Sequence, residues 1–339
     1  MLFSYLIYYH IWTNHFYRQC QLKMKNQTTV YILFLNGLSD LPSLQLPLFL
    51  VFLLIYLMTL SGNLIIFFLI IIDSHLHTPM YFFLGTLAYL DMSNSSVTVP
   101  RMLFDLLTHK RVISVSACRT QIYFFIFFIT SEVSLLSVMS CDRYIAICRP
   151  LHYMQIMSWK VCVWLLSLIS FFVHNALLHT VFLSKITFCR SNALQNFFCD
   201  LPQFLQISCS DTFINMLLIF LSVTLFGVGP LGVTFYPYFP IISTVLKIPS
   251  NQVRSKTFST CSSHLTVVFI FYSTAFFNYF RSYENDHYAE DKVTSVFYAV
   301  LTPVLNPLIY SLRNQELKSS LKRVLQRLLK KTEQKNYNR

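Results

Sequence analysis

Charge is scarce in this sequence. Only 12% of its 339 residues are Asp, Glu, Lys or Arg, against roughly 25% in ordinary soluble domains. Against so few charges stand 55% hydrophobic residues, with 33 Phe and 20 Tyr. A soluble globule of this length could not cover that much apolar surface. Disorder over most of the chain is excluded, because disordered segments need low hydrophobicity and high charge. Length excludes a small disulfide-stapled scaffold. No series of short alternating strands points to a barrel. No internal repeat, Gly-x-Ser-x-Gly, His-Glu-x-x-His or Cys-x-x-Cys is present, which argues against an intramembrane enzyme and a zinc site. The solvent that suits this chain is a bilayer.

The net charge of +12 suggests a nucleic-acid binder only until its position is considered. Nine of the 26 basic residues lie between Arg313 and Arg339. That is a basic tail behind a hydrophobic body, suited to anionic lipid headgroups. Within it, residues 315–331 read as an amphipathic helix with Leu317, Leu321, Val324, Leu325, Leu328 and Leu329 toward the membrane.

Seven stretches are long and apolar enough to span, at ~20 residues per crossing. They run from about Leu46 to Ile72, Met80 to Leu107, Cys118 to Ile147, Val161 to Leu183, Phe213 to Leu246, Phe258 to Phe280 and Val293 to Leu312. An open sheet is excluded, since its edges would leave backbone groups unpaired in lipid. The expected fold is an all-α membrane protein, a seven-helix bundle over residues 46–312 with a cytoplasmic helix and tail over 313–339. Lys and Arg after spans three, five and seven place the carboxyl end inside and the amino end, residues 24–45, outside. The sequon at Asn26 falls on that outer side, whereas the one at Asn94 lies within span two and should be unmodified. Residues 1–23 have no clean apolar h-region or cleavage site, and read as a disordered or misassigned extension.

Ionisable groups inside spans are functional hypotheses by default. Asp91 and Glu132 lie in spans two and three, Asn63 and Asn306 in spans one and seven. If they converge at mid-depth, the two carboxylates must share a proton or hold a cation, with sodium the natural ion for oxygen ligands. Asp142-Arg143-Tyr144 ends span three, where an Asp–Arg pair can latch one state and release in another. Asn306-Pro307-Leu308-Ile309-Tyr310 ends span seven with a proline kink. Cys118, Cys189, Cys199 and Cys209 fall on the outer side and suggest two disulfides; Cys141, Cys148, Cys162 and Cys261 fall toward the inner half and should be free. His75 and His77 lack further ligands, so a metal there is disfavoured.

These residues resemble a family. LHTPMYFFL (76–84), MSCDRYIAICRPLHY (139–153), KTFSTCSSHLTVV (256–268) and PVLNPLIYSLRN (303–314) are similar to the motifs of vertebrate olfactory receptors, rhodopsin-like G-protein-coupled receptors, and the likeness runs from about Met24 to Lys331. The resemblance implies a sensor for small, mostly apolar molecules, coupled to the stimulatory olfactory G protein and so to cAMP. It implies Cys118–Cys199 and Cys189–Cys209 disulfides, and Arg143 as the switch arginine with Tyr238 and Tyr310 as its active-state partners. His264 falls in the family's inner span-six motif, and Tyr272 should sit beneath the ligand. Counting turns outward along spans three, five and six then places Phe125, Ile126, Ile129, Thr130, Ser222, Phe226, Ala275, Phe276 and Tyr279 around an apolar cavity with a few hydroxyls. No acidic residue faces it, which disfavours an amine held by a salt bridge.

The sequence also departs from the family pattern. Pro237 and Pro240 flank Tyr238 and should break the inner end of span five. Ser273 stands for the usual Gly, Ser140-Cys141 for Ala-Tyr, and the mid-span-four Trp is missing near Ser170-Phe171. A divergent receptor that no longer signals is one alternative. A transporter or channel is the other, though it should show inverted repeats, broken helices or rings of charge.

Overall fold

The computed structural model of this chain describes residues 32–188, 193–279 and 288–337. Seven helical spans follow one another: Pro42–Ile72, Pro79–Thr108, Val115–Cys148, Trp159–Ser184, Phe213–Leu246, Asn251–Tyr279, and a last one that runs in three joined segments from Tyr288 to Arg313. Spans one, three, four, five and seven are each long and apolar enough to cross a membrane. Spans two and six, of 30 and 29 residues, are as long but carry more polar groups. Large apolar side chains point outward, among them Leu50, Leu54, Leu57, Leu64 and Phe68 on span one. In water that surface would be unfavourable; in lipid it is the contact face. A further helix, Gln315–Tyr337, follows span seven and covers the expected amphipathic segment. Its Leu317 is buried against the bundle.

Proline sets the irregularities. Pro230 and Pro303 have no N–H to close a normal turn, and each follows a π turn, at Thr224–Val228 and Phe297–Leu301. The Thr302 hydroxyl donates to the Phe297 carbonyl at 3.0 Å. Span four is interrupted only at Phe171, where the amide donates to Leu168 three residues back. The expected break at Pro237 and Pro240 is smaller than the sequence suggests. Tyr236 and Pro237 keep helical dihedrals, and the helix resumes over Tyr238–Leu246. Pro240 falls in the first turn of that segment, where a missing donor is tolerated.

Spans one and seven approach closely at Gly62. A Cβ there would lie 3.3 Å from Pro307 Cβ, so the kinked helix seats on a position without a side chain. The fold is not wholly helical. At the end of the bundle holding Cys118, strand β1 (Ile32–Leu35) lies between β2 (Val112–Ser114), antiparallel, and β3 (Ala193–Leu194), parallel. Arg111 fastens this cap, donating to the Asn36 carbonyl at 3.0 Å, the Ser39 carbonyl at 2.6 Å and the Asp40 carboxylate. Its hydrogen bond holds the Asp40 carboxyl below its ordinary range. Cys118 and Cys199 are joined, tying span three to the loop after span four.

Candidate functional site

The inner motif residues meet around one cavity. Arg143, His264 and Tyr310 line it with Met80, Leu84, Met139, Ser263 and Asn314. Arg143 Nη2 lies 3.6 Å from Asp142 Oδ2, and the Tyr153 hydroxyl donates to Asp142 Oδ1 at 2.8 Å. Asp142 is therefore anchored from two sides, while among the described residues Arg143 is held by one ion pair. Tyr144 joins the apolar cluster around Tyr238, Ile241, Val245 and Cys261. Tyr238 is hydrogen-bonded to His264 Nδ1, not to Arg143. The Tyr310 hydroxyl is buried with no partner among the described residues. The arginine is paired with its own aspartate, and neither tyrosine that the resemblance makes its later partner is hydrogen-bonded to it.

At mid-depth, Asn306 Nδ2 donates to Asp91 Oδ1 at 2.9 Å and Oδ2 at 3.0 Å. Asp91 is fully buried and close enough to Glu132 for the two carboxylates to repel. Glu132 Oε1 and both amide atoms of Asn94 are buried without partners among the described residues. These acceptor oxygens fit a small cation or a shared proton. Asn63 does a different job, donating to the Thr59 carbonyl at 3.0 Å and the Pro303 carbonyl at 3.1 Å. It clamps span one to span seven beside the π turn.

The residues expected around the ligand divide. Phe125 is buried, its ring 5.4 Å from Phe198 and 5.2 Å from Tyr298. Ile126 belongs to the cluster under the sheet. Ile129 packs against the clusters on either side of span three. The Thr130 hydroxyl donates to the Ile126 carbonyl at 2.7 Å. Tyr272 tilts against Phe235 of span five, centroids 6.4 Å apart. Ser222 and Phe226, however, engage span four: Ser222 bonds Asn175 and His179, and the Phe226 ring is 5.0 Å from Phe172. The π turn at Thr224–Val228 turns both toward span four. An extra residue in a turn rotates everything beyond it. The side chains of Ala275, Phe276 and Tyr279 lie outside the described residues, as do Asn26 and Cys189, so the Cys189–Cys209 pairing remains an expectation. Cys141, Cys148, Cys162 and Cys261 are unpaired, as expected.

Sequence reasoning misses several partners. Phe197 and Phe198 of the loop are fully buried against spans two, three and seven. Gln121 holds that loop, accepting from the Cys199 amide at 2.9 Å while donating to the Val97 carbonyl at 2.9 Å. Asp73, in the turn after span one, accepts from Arg323 of the final helix at 2.7 and 3.0 Å and pairs with His75. Burial opposes ionisation of Asp73, but its neighbours Ser320, Arg323 and His75 outweigh it and hold the carboxyl far below its ordinary range. A group whose folded pKa is depressed stabilises above its unfolded value near 4 and loses this only as pH falls through the folded value. Asp73→Asn should therefore lower the melting temperature of the purified protein by the equivalent of about 2 kcal/mol, a charge-assisted hydrogen bond's worth. The gap to wild type should stay flat from about pH 5 to about pH 8. A gap that closes across this range would contradict the pairing.

The sequence profile described as olfactory receptor matches residues 52–328. Human olfactory receptor 5B12 is 48% identical over 297 residues, covering 87% of this chain and 94% of that protein. Gorilla olfactory receptor 1G1 is 46% identical over 297 residues and rat olfactory receptor 1 is 45% identical over 300, with the same coverage. Among solved structures, squid rhodopsin superposes with a TM-score of 0.63 over 86% of this chain and 88% of its own, at 17% identity. At that identity the likeness speaks for the seven-helix fold alone.

Proposed function

Because this chain belongs to the olfactory receptor family, multi-pass plasma-membrane receptors and not enzymes, we propose that it binds small, mostly apolar odorants near its disulfide end and activates a stimulatory, olfactory-type G protein, raising cAMP. The amino end is then extracellular and the basic carboxyl end cytosolic. The observation that carries this reading is the Arg143 latch: an arginine paired with Asp142, in a cavity shared with His264 and Tyr310. An odorant that prefers the state in which Arg143 has left Asp142 shifts the population toward it, by no more than its differential affinity. Tyr238, freed from His264, and Tyr310 then supply hydroxyls to the guanidinium, and a G-protein segment enters beside the basic inner loops. A transporter or channel has no support in the family or in the cluster geometry.

The test is an odorant panel read as cAMP, in cells expressing chains that start at Met1 and at Met24. Dose-dependent cAMP with the G protein present, and none without it, supports the reading. Surface-exposed receptor silent to every ligand favours a divergent receptor that does not couple. We propose further that Asp91, Glu132 and Asn306 hold a sodium ion or a shared proton. If sodium binds, its replacement by choline should lower the melting temperature of wild type but not of Asp91→Asn. Equal temperatures in both salts would leave the shared proton.

A further inference from the structure

Spans four and five enclose a polar group of which the odorant reading names only Ser222. Asn175 and His179 lie one turn apart on span four and face Ser222 of span five. The Ser222 hydroxyl donates to Asn175 Oδ1 at 2.8 Å. A hydroxyl has one hydrogen, so His179 Nε2, at 2.9 Å from the same oxygen, must be the donor to it. The imidazole is then fixed in one tautomer, with Nδ1 left as an acceptor. His179 is only 2% exposed. Its Nδ1 has no partner among the described residues, and neither does the buried Nδ2 of Asn175. The pair therefore leaves one buried acceptor and one buried donor, and leaving either unmade is costly. Ser222 itself is already engaged at both its donor and its acceptor and has little to offer a ligand.

We propose that His179 and Asn175 form the polar subsite of the odorant cavity and that they select a hydroxyl compound, an alcohol or a phenol. The ligand O–H donates to His179 Nδ1, and the same oxygen accepts from Asn175 Nδ2. An ether or a ketone can accept but cannot donate, and a hydrocarbon can do neither. Phe172 and Phe226, in edge-to-face contact at 5.0 Å, supply apolar surface within the same pair of spans. This inference rests on the odorant-receptor reading for its biological setting but not for its chemistry.

The test uses the purified full-length receptor and a matched series: straight-chain and aromatic alcohols, their methyl ethers and the parent hydrocarbons. Binding is read as ligand-dependent thermal stabilisation, and signalling separately as cAMP in cells. Alcohols should stabilise wild type at concentrations about tenfold below their ethers, since one unmade buried hydrogen bond corresponds to about that factor. His179→Phe and, as a second variant that leaves the imidazole in place, Asn175→Leu should each erase the preference while leaving hydrocarbon binding within about twofold. Equal stabilisation by alcohols and ethers, a preference that survives both substitutions, or no stabilisation by any alcohol would overturn the proposal. Alcohol-selective stabilisation without cAMP would leave it standing and count against coupling instead. cAMP responses indifferent to the hydroxyl would overturn this proposal alone.

Discussion

Arg143→Ala is expected to abolish odorant-driven cAMP while leaving receptor at the cell surface. The guanidinium is 3.6 Å from Asp142, and Tyr153 also holds that carboxylate. Removing the arginine leaves Asp142 one strong partner, so the fold should survive. The signalling state loses more. In the signalling state proposed above the guanidinium gains Tyr238 and Tyr310, and each hydrogen bond to a charged group is worth ~1.5–3 kcal/mol. Losing two of them shifts the balance of states by roughly a hundredfold or more, which takes a ligand response below detection. Arg143→Lys should recover part of it, since the charge is kept and the planar fork is not. The measurement is a cAMP dose-response normalised to surface antibody staining. A response to Arg143→Ala that matches wild type at equal surface density would remove the switch assignment.

Cys118→Ser and Cys199→Ser should each prevent delivery to the surface, and the double variant should do no worse than either. The bond closes a separation of 81 residues, for which loop-closure entropy alone amounts to roughly 4–5 kcal/mol. More depends on it than entropy. Cys199 follows Phe197 and Phe198, which fill the mouth of the bundle against Phe125 and Tyr298. Its amide also donates to Gln121. Without the bond the loop must hold two large aromatic rings in place with that hydrogen bond and packing. Because both substitutions break one bond, a double-mutant cycle should show coupling as large as either single loss. Flow cytometry of an epitope at the amino end provides the number. Strictly additive losses would argue that the two thiols act independently.

Much of this molecule was legible along the chain. Hydropathy marked all seven spans, because apolarity sums over about 20 neighbouring residues and does not depend on what they touch. Arg143 of the Asp142-Arg143-Tyr144 motif and Tyr310 of the Asn306–Tyr310 motif both line the latch cavity, since each motif is short and keeps its place on its own helix. Asp91 and Asn306 were expected in one mid-depth polar cluster because polar residues buried in lipid need partners, and they are hydrogen-bonded there. Asn63, expected in the same cluster, instead bonds the Pro303 carbonyl. That carbonyl is free because its partner four residues on is Pro307, which has no N–H, and only the packing of spans one and seven brings Asn63 to it.

Other features only the tertiary structure decided. Which way Ser222 and Phe226 face depends on rotation accumulated through a π turn and a proline kink, which a regular count leaves out. The Asp73–Arg323 pair joins groups 250 residues apart, and a charge on a loop does not name its partner. The tautomer of His179 follows from one serine hydrogen 43 positions away. What the sequence by itself determined was the solvent, the number of crossings and the motifs that end spans three and seven, each a property of neighbours along the chain. The facing of the helices, the aromatic plug and the polar pair between spans four and five were set by three-dimensional packing, where one added residue in a turn swings every later side chain by about 100°.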